Sequence, residues 1–249
     1  MKLFEGRTAM VTGAGKNMGK EIALSFAKNG ANVVVCDYNE EAARATVAEI
    51  RALGVDAMEA VCDVRDREKI FAYVAEAVER FGKIDYLVNN AGGSAGLLKK
   101  LTRFVDAEQS TLDFVIDTNL KGAMHCAQAV LTSMIKQRYG KIINISSIAA
   151  VCGLYDRVDY AAAKAGMIGM VKALAMEVGE YNICVNAISP GAIERDGKRG
   201  VHMTYMGENG MGGTTKDIAD TVLFLAYQDY ITGENIIVDG GRSLGPSHR

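Results

Sequence analysis

The sequence predicts a single three-layer α/β/α domain, with a doubly wound sheet of seven parallel strands covered by helices on both faces. Three patterns in its 249 residues carry that expectation. Short β-branched apolar runs alternate with amphipathic stretches, as repeated βαβ units require. Several of these runs are apolar at every position, as strands are when helices bury both faces of a sheet. The chain also holds 27 glycines and only two prolines. Without a G-x-y period this excess signals neither collagen nor a linker, but backbone passing close to something else.

The first strand is expected at Thr8 to Thr12, followed by a glycine-rich turn and a helix over Met18 to Asn29. A strand at Ala31 to Asp37 leads to a helix at Glu40 to Leu53, and one at Asp56 to Val61 leads to a helix at Arg65 to Phe81. In that third helix Ile70, Val74, Ala77, Val78 and Phe81 form one apolar stripe, with Arg67, Glu76, Glu79 and Arg80 pointing elsewhere. A strand at Ile84 to Asn89 precedes one long helix, Gln109 to Gln137. Lys141 to Ser146 and Ile183 to Ile188 flank a helix at Asp159 to Gly179. The last helix, Lys216 to Tyr227, begins after Thr214, whose Thr-x-x-acid spacing to Asp217 makes a capping box. Asn235 to Asp239 closes the sheet. Between Gly191 and Gly213 lie 23 residues with seven glycines and no period, a loop long enough to act as a mobile lid over a substrate. With no internal repeat or linker, residues 1–249 form one domain.

Composition argues against several functions. A formal net charge of -2 gives no electrostatic footprint for nucleic acid or an anionic membrane. No run approaches the roughly 18 apolar residues of a membrane span, and Met1 to Met10, carrying Lys2, Glu5 and Arg7, lacks a signal-peptide core. Five scattered cysteines, mostly in apolar runs, read as buried thiols in a reducing compartment, which places the chain in the cytoplasm. Three histidines and no Cys/His cluster leave no metal site.

Thr12-Gly13-Ala14-Gly15-Lys16-Asn17-Met18-Gly19 stands between the first strand and first helix. Glycines there let the backbone turn sharply and approach a pyrophosphate at a helix N-terminus, where free N–H groups and the helix dipole favour negative charge. Asp37, 24 residues after Gly13, ends the second strand where a carboxylate accepts hydrogen bonds from the adenosine ribose. It favours NAD over NADP, whose 2′-phosphate would meet a like charge; Lys16 pulls the other way. Tyr160 and Lys164, at i and i+4, share one helical face. An ammonium near a phenol favours phenolate and so gives the pair a chemical reason to be adjacent.

Taken together, Thr12-Gly13 to Gly19, Asn89-Asn90-Ala91-Gly92, Asn119, Ser147, Tyr160/Lys164 and Pro190-Gly191 resemble, in order and spacing, the short-chain dehydrogenase/reductase family. The resemblance implies a Rossmann-type sheet, hydride transfer between NAD(H) and a secondary alcohol or ketone, and a homotetramer paired through the helices at Gln109 to Gln137 and Asp159 to Gly179. It implies that Tyr160 exchanges a proton with the substrate oxygen and that Ser147, 13 residues earlier, orients that oxygen. Lys164 would hold the ribose and lower the Tyr160 pKa, and Asn119 would position a water linking Lys164 to solvent. The cofactor contacts it implies are Gly13, Gly15, Asn17, Met18, Gly19, Asp37, Asp63, Val64, Asn90, Ala91, Gly92, Tyr160, Lys164, Pro190, Gly191 and Ile193. Read on their own, Asn119 is a helix-kink residue and Asp63 a cap for the next helix.

Three positions depart from the family pattern. Asn17 replaces a loop glycine, a substitution that a left-handed backbone tolerates in asparagine. Arg195 stands where a threonine commonly bonds the nicotinamide carboxamide, and Cys184 where arginine is common. The segments beside Tyr160 carry mixed signals. Tyr155, Asp156, Arg157, Glu194 and Arg195 suit a polyol, sugar or hydroxy acid, while Met203, Tyr205, Met206 and Met211 suit a hydrophobic or steroid-like alcohol. The alternatives are an NADPH-dependent 3-oxoacyl-carrier-protein reductase, a hydroxysteroid dehydrogenase, and an inactive nucleotide-binding regulator.

Overall fold

The computed structural model describes residues 2–198 and 212–245. Seven parallel strands form one sheet in the order β3-β2-β1-β4-β5-β6-β7. They are β1 (Thr8–Thr12), β2 (Asn32–Asp37), β3 (Ala57–Val61), β4 (Tyr86–Asn89), β5 (Gly140–Ile145), β6 (Ile183–Pro190) and β7 (Asn235–Val238). The expected strands are all present, with ends moved by a residue or two where ladder pairing continues or stops. β6 runs on to Pro190 because its partner β7 extends alongside it to Val238.

Alternation along β2 shows why helices are needed on both faces. Val33 and Val35 point into one apolar core with Ile22 and Phe26 of α1 (Asn17–Lys28) and Ile50 of α2 (Glu40–Ala52). Val34 and Cys36 point into a second core, built with Ile70 and Val74 of α3 (Arg67–Phe81). All these side chains are nine-tenths buried or more. At about 1.5–3 kcal/mol for a large apolar side chain, each full burial holds a helix to the sheet more strongly than its own backbone propensity does.

The long helix expected over 109–137 is divided. α4 (Gln109–Ile116) passes into a π-helical turn, Asp117–Lys121, and then into α5 (Gly122–Gln137). Asn119 lies in the middle of that turn, and its side-chain Nδ2 donates to the Val115 carbonyl at 2.8 Å, satisfying an acceptor within the altered ladder. Asn119 therefore stands at a break in the regular α-helical hydrogen-bond ladder. Beyond β5 come a short helix, α6 (Ala149–Cys152), and then α7 (Val158–Val178). α8 (Thr215–Tyr227) opens with the expected capping box: Asp217 N–H donates to Thr214 Oγ1 and Thr214 N–H to the Asp217 carboxylate.

Four cysteines are buried, as expected, but Cys152 on α6 is exposed. Cys184 packs against the buried Lys141, whose Nζ lies 3.3 Å from its sulfur and 2.7 Å from Asp229. No described helix is long and apolar enough to cross a membrane. The described residues contain no group of three or more His, Cys, Asp or Glu suited to a metal.

Candidate active site

The sheet order reverses between β1 and β4, and the C-terminal ends of the strands meet at that switch point, where doubly wound folds open a crevice. Thr12 organises it. Its Oγ1 accepts the N–H groups of Asn90 and Ala91, both at 3.0 Å, while Asn90 Nδ2 donates to the carbonyls of Thr12 (2.9 Å) and Gly13 (3.1 Å). Gly13 has a left-handed φ of 62°, and a Cβ on Gly19 would run into the Gly13 carbonyl. The turn after β1 is thus locked to the turn after β4. Its glycines leave backbone, not side chain, facing the crevice.

Asn17 opens α1 at φ 50°, so the turn keeps its left-handed geometry without glycine. Its amide also makes a reciprocal pair with Asp196 after β6: Nδ2 donates to Asp196 Oδ1 at 3.1 Å, and Oδ1 accepts the Asp196 N–H at 2.9 Å. Met18 packs half-buried against the core. The Asp37 carboxylate, buried at the end of β2, accepts the Gly15 N–H at 2.8 Å and the Asn39 N–H at 2.9 Å. Asp63 accepts both the Arg65 backbone and its guanidinium, which holds that carboxyl below the usual range. Asp66, not Asp63, caps α3. Val64 is buried beside Gly122, whose hydrogen leaves room for it.

Ser147, Tyr160 and Lys164 converge beyond the end of β5. Lys164 Nζ lies 5.6 Å from the Tyr160 ring centre and donates to the Ile145 carbonyl at 2.7 Å. The Ser146 hydroxyl donates to the Lys164 carbonyl at 3.0 Å, a structural role that leaves Ser147 facing the phenol. Asn119 closes the group from the π-helical turn after α4. It receives the Gly93 N–H at 3.0 Å and donates to the Gly93 carbonyl at 2.8 Å. With Val115 as well, both its amide hydrogens are used, so its side chain anchors the loop after β4; only Oδ1 keeps a spare lone pair for water. A Cβ on Gly92 would collide with Asn119 Oδ1 and lie 3.4 Å from Lys164 Nζ. This is a space only glycine leaves open.

The electrostatics differ from the expectation that Lys164 lowers the Tyr160 pKa. Burial alone pushes Lys164 down to about 7, so it has lost its charge by the pH at which a phenol ionises. Burial raises Tyr160, and the opposing pull comes from the Ser147 hydrogen bond and the Arg195 and Arg157 guanidiniums. Sequence reasoning had marked both arginines as polar substrate contacts without this effect on the phenol. It placed Thr12 at the head of the glycine-turn motif but gave its hydroxyl no role in holding the turn after β4.

After β6, Gly191 N–H donates to the Val238 carbonyl at 2.9 Å, and a Cβ there would press on Asp239. Pro190 accepts the Ile148 N–H at 3.0 Å, tying β6 to the turn carrying Ser147. Ile193 bridges to Gly213, and Glu194 accepts the Thr215 N–H and hydroxyl at 3.1 Å. Arg195 is exposed, and its guanidinium has no ion pair among the described residues. The lid expected over 191–213 is described only at its two ends; Met203, Tyr205, Met206 and Met211 lie outside the described residues.

A Rossmann-type sheet with a glycine turn at its switch point and a Ser–Tyr–Lys cluster beside it defines a dinucleotide-dependent oxidoreductase of CH–OH groups. The short chain dehydrogenase family model matches residues 7–204, and the chain belongs to that family. It is 40% identical to a (2S)-((R)-hydroxy(phenyl)methyl)succinyl-CoA dehydrogenase subunit of Thauera aromatica, over 97% of this chain and 98% of that one. Identity to a 3-oxoacyl-acyl-carrier-protein reductase of Staphylococcus aureus is 41%, over 94% and 97%. An NAD+-bound xylitol dehydrogenase superposes with a TM-score of 0.85 at 31% identity, covering 96% of this chain and 99% of the other.

Proposed function

We propose that this chain transfers hydride between NAD(H) and a secondary alcohol or ketone bearing polar groups, of the polyol, sugar or hydroxy-acid class. The observation that carries the reading is the meeting of Ser147, Tyr160 and Lys164 beside the space left by Gly92. Ser147 orients the substrate oxygen by hydrogen bonding, and Tyr160 Oη takes its proton in oxidation and returns it in reduction. Lys164 Nζ donates one hydrogen to the Ile145 carbonyl and keeps the rest of its hydrogen-bonding capacity for ribose hydroxyls. Asn119 acts as a positioning residue, holding the loop at Gly93. When bound, the nicotinamide supplies the hydride acceptor or donor.

The residues fit such a cofactor: the glycine turn offers bare backbone at the N-terminus of α1, and Asp37 stands where an adenosine ribose would reach it. Pro190, Gly191 and Ile193 flank the nicotinamide end, and Asp63 and Val64 the adenine end. Asp37 favours NAD. Lys16 keeps the NADPH-dependent 3-oxoacyl reductase as the second reading, since it is exposed at the start of α1 and makes no side-chain capping bond. Arg157 and Arg195 support a substrate with polar or anionic groups near the carbinol. Free thiols in all five cysteines fit a reducing compartment, the cytoplasm.

A screen of polyols, sugars, hydroxy acids, hydroxysteroids and acetoacetyl thioesters with both dinucleotides tests the assignment. It should give a hit among the polar alcohols with kcat/KM higher for NAD than for NADP. Preference for NADPH, with turnover of the thioester, would move the assignment to the second reading.

A further inference from the structure

Two thiols meet at the adenosine end of the crevice. Cys36 is the next-to-last residue of β2, and Cys62 directly follows β3. Their sulfurs stand 3.6 Å apart, both buried, with neither in a disulfide. The backbone around them is the frame of the crevice. Cys36 C=O accepts the Ala14 N–H of the glycine turn at 3.2 Å, and Cys62 N–H donates to the Asp37 carbonyl at 3.1 Å. Asp37 follows one cysteine and Asp63 the other.

We propose that Cys36 and Cys62 form a reversible intrachain disulfide on exposure to a hydroperoxide, and that closing it weakens dinucleotide binding. The two are unequal. Cys36 is fully buried and Cys62 is 5% exposed, and the hydrogen bond between the thiols lowers the Cys62 pKa and raises that of Cys36, so Cys62 is the nucleophile and Cys36 the resolving thiol. Lys69 adds to the thiolate's stability, against Asp66 and Asp63. The Cys62 thiolate attacks one peroxide oxygen, breaking the O–O bond and leaving a sulfenic acid; the departing hydroxide takes up a proton to become water. Cys36 sulfur then displaces the sulfenic hydroxyl, which leaves as a second water with the Cys36 proton. Two thiols and one hydrogen peroxide thus give one disulfide and two waters, with two electrons passing from sulfur to oxygen.

A disulfide requires the sulfurs to approach to about 2.05 Å. Drawing them together from 3.6 Å pulls on the ends of β2 and β3, where Asp37 meets the glycine turn through Gly15. The effect on binding rests on the dinucleotide reading proposed above; the crosslink does not.

The test treats the reduced full-length protein with hydrogen peroxide, blocks remaining thiols, and maps peptides by mass spectrometry. NADH affinity is measured before oxidation, after it, and after dithiothreitol. A 2 Da loss assigned to a Cys36–Cys62 peptide, absent in Cys62→Ala and retained in Cys126→Ala, is expected. NADH Kd should rise about tenfold on oxidation and recover on reduction. No crosslink, or one to Cys126 instead, overturns the disulfide, and an unchanged Kd in fully crosslinked protein overturns its effect on binding. If the crosslink forms but even the reduced protein ignores NADH, the dinucleotide reading fails and the disulfide stands.

Discussion

Lys164 is 3% exposed, and burial alone pushes its pKa from 10.5 to about 7. From about pH 7 to 10.5 the unfolded chain therefore holds a proton that the folded chain lacks, so stability rises with pH across this window and the cost is greatest below it. Replacing Lys164 with Met should remove that slope. Denaturation from pH 6 to 10 should show wild type gaining on the variant by up to about 1.4 kcal/mol per pH unit; parallel profiles would show that Lys164 is charged in the fold. How well single residues were legible depends on where their partners lie. The left-handed φ of Asn17 was anticipated because it is a local property of the turn. Its pairing with Asp196 was not, because 179 residues separate them and neither side chain signals the other. The pull of Arg195 on Tyr160 was hidden for the same reason, since its charge comes near the phenol only once β6 lies beside β5.

Periodic elements with local stop signals were read almost intact. The capping box at Thr214 marked α8 because both of its hydrogen bonds lie within four consecutive residues. Thr214→Ala should lower stability by about 1 kcal/mol, the usual worth of a threonine cap, and an unchanged urea midpoint would contradict that. The division of the helix at Asp117–Lys121 was not legible as a π turn, because it leaves the apolar pattern of α4 and α5 helical on both sides. Only the family likeness singled out Asn119. Its role is that of an anchor: with 0% exposure and bonds to Gly93 and Val115, it ties α4 to the loop after β4. Asn119→Ala would leave the Gly93 N–H and two carbonyls without that partner, a loss of about 1–3 kcal/mol per buried group.

Across the molecule, the sheet order brings together residues from Thr12 to Gly191, so the candidate site is a property of topology rather than of any one motif. The ends of β1, β2 and β4 were predictable because each of those apolar runs stops at a polar residue, Thr12, Asp37 and Asn89. A chain of buried asparagines reinforces the middle of the sheet: Asn89 Nδ2 donates to Asn144 Oδ1 at 2.9 Å, and Asn144 Nδ2 to the Asn186 carbonyl at 3.3 Å. No sequence period announces it, since its members come from β4, β5 and β6. Assembly is the other property of the full molecule. α7 is apolar around most of its circumference, with Met176 87% exposed, and Met124 on α5 is 42% exposed. We propose the homotetramer implied by the family likeness, formed through these helices; light scattering should give four times the 26.7 kDa chain mass, and a monomer would contradict it. Tyr160→Phe bears most directly on the proposed chemistry, because it deletes one oxygen and leaves Ser147, Lys164 and the glycine cradle in place. Measured on the alcohol identified by the screen, its kcat should fall by about 10²- to 10⁴-fold or more while NADH Kd stays near wild type. Near-normal turnover by this variant would show that the proton passes through another group.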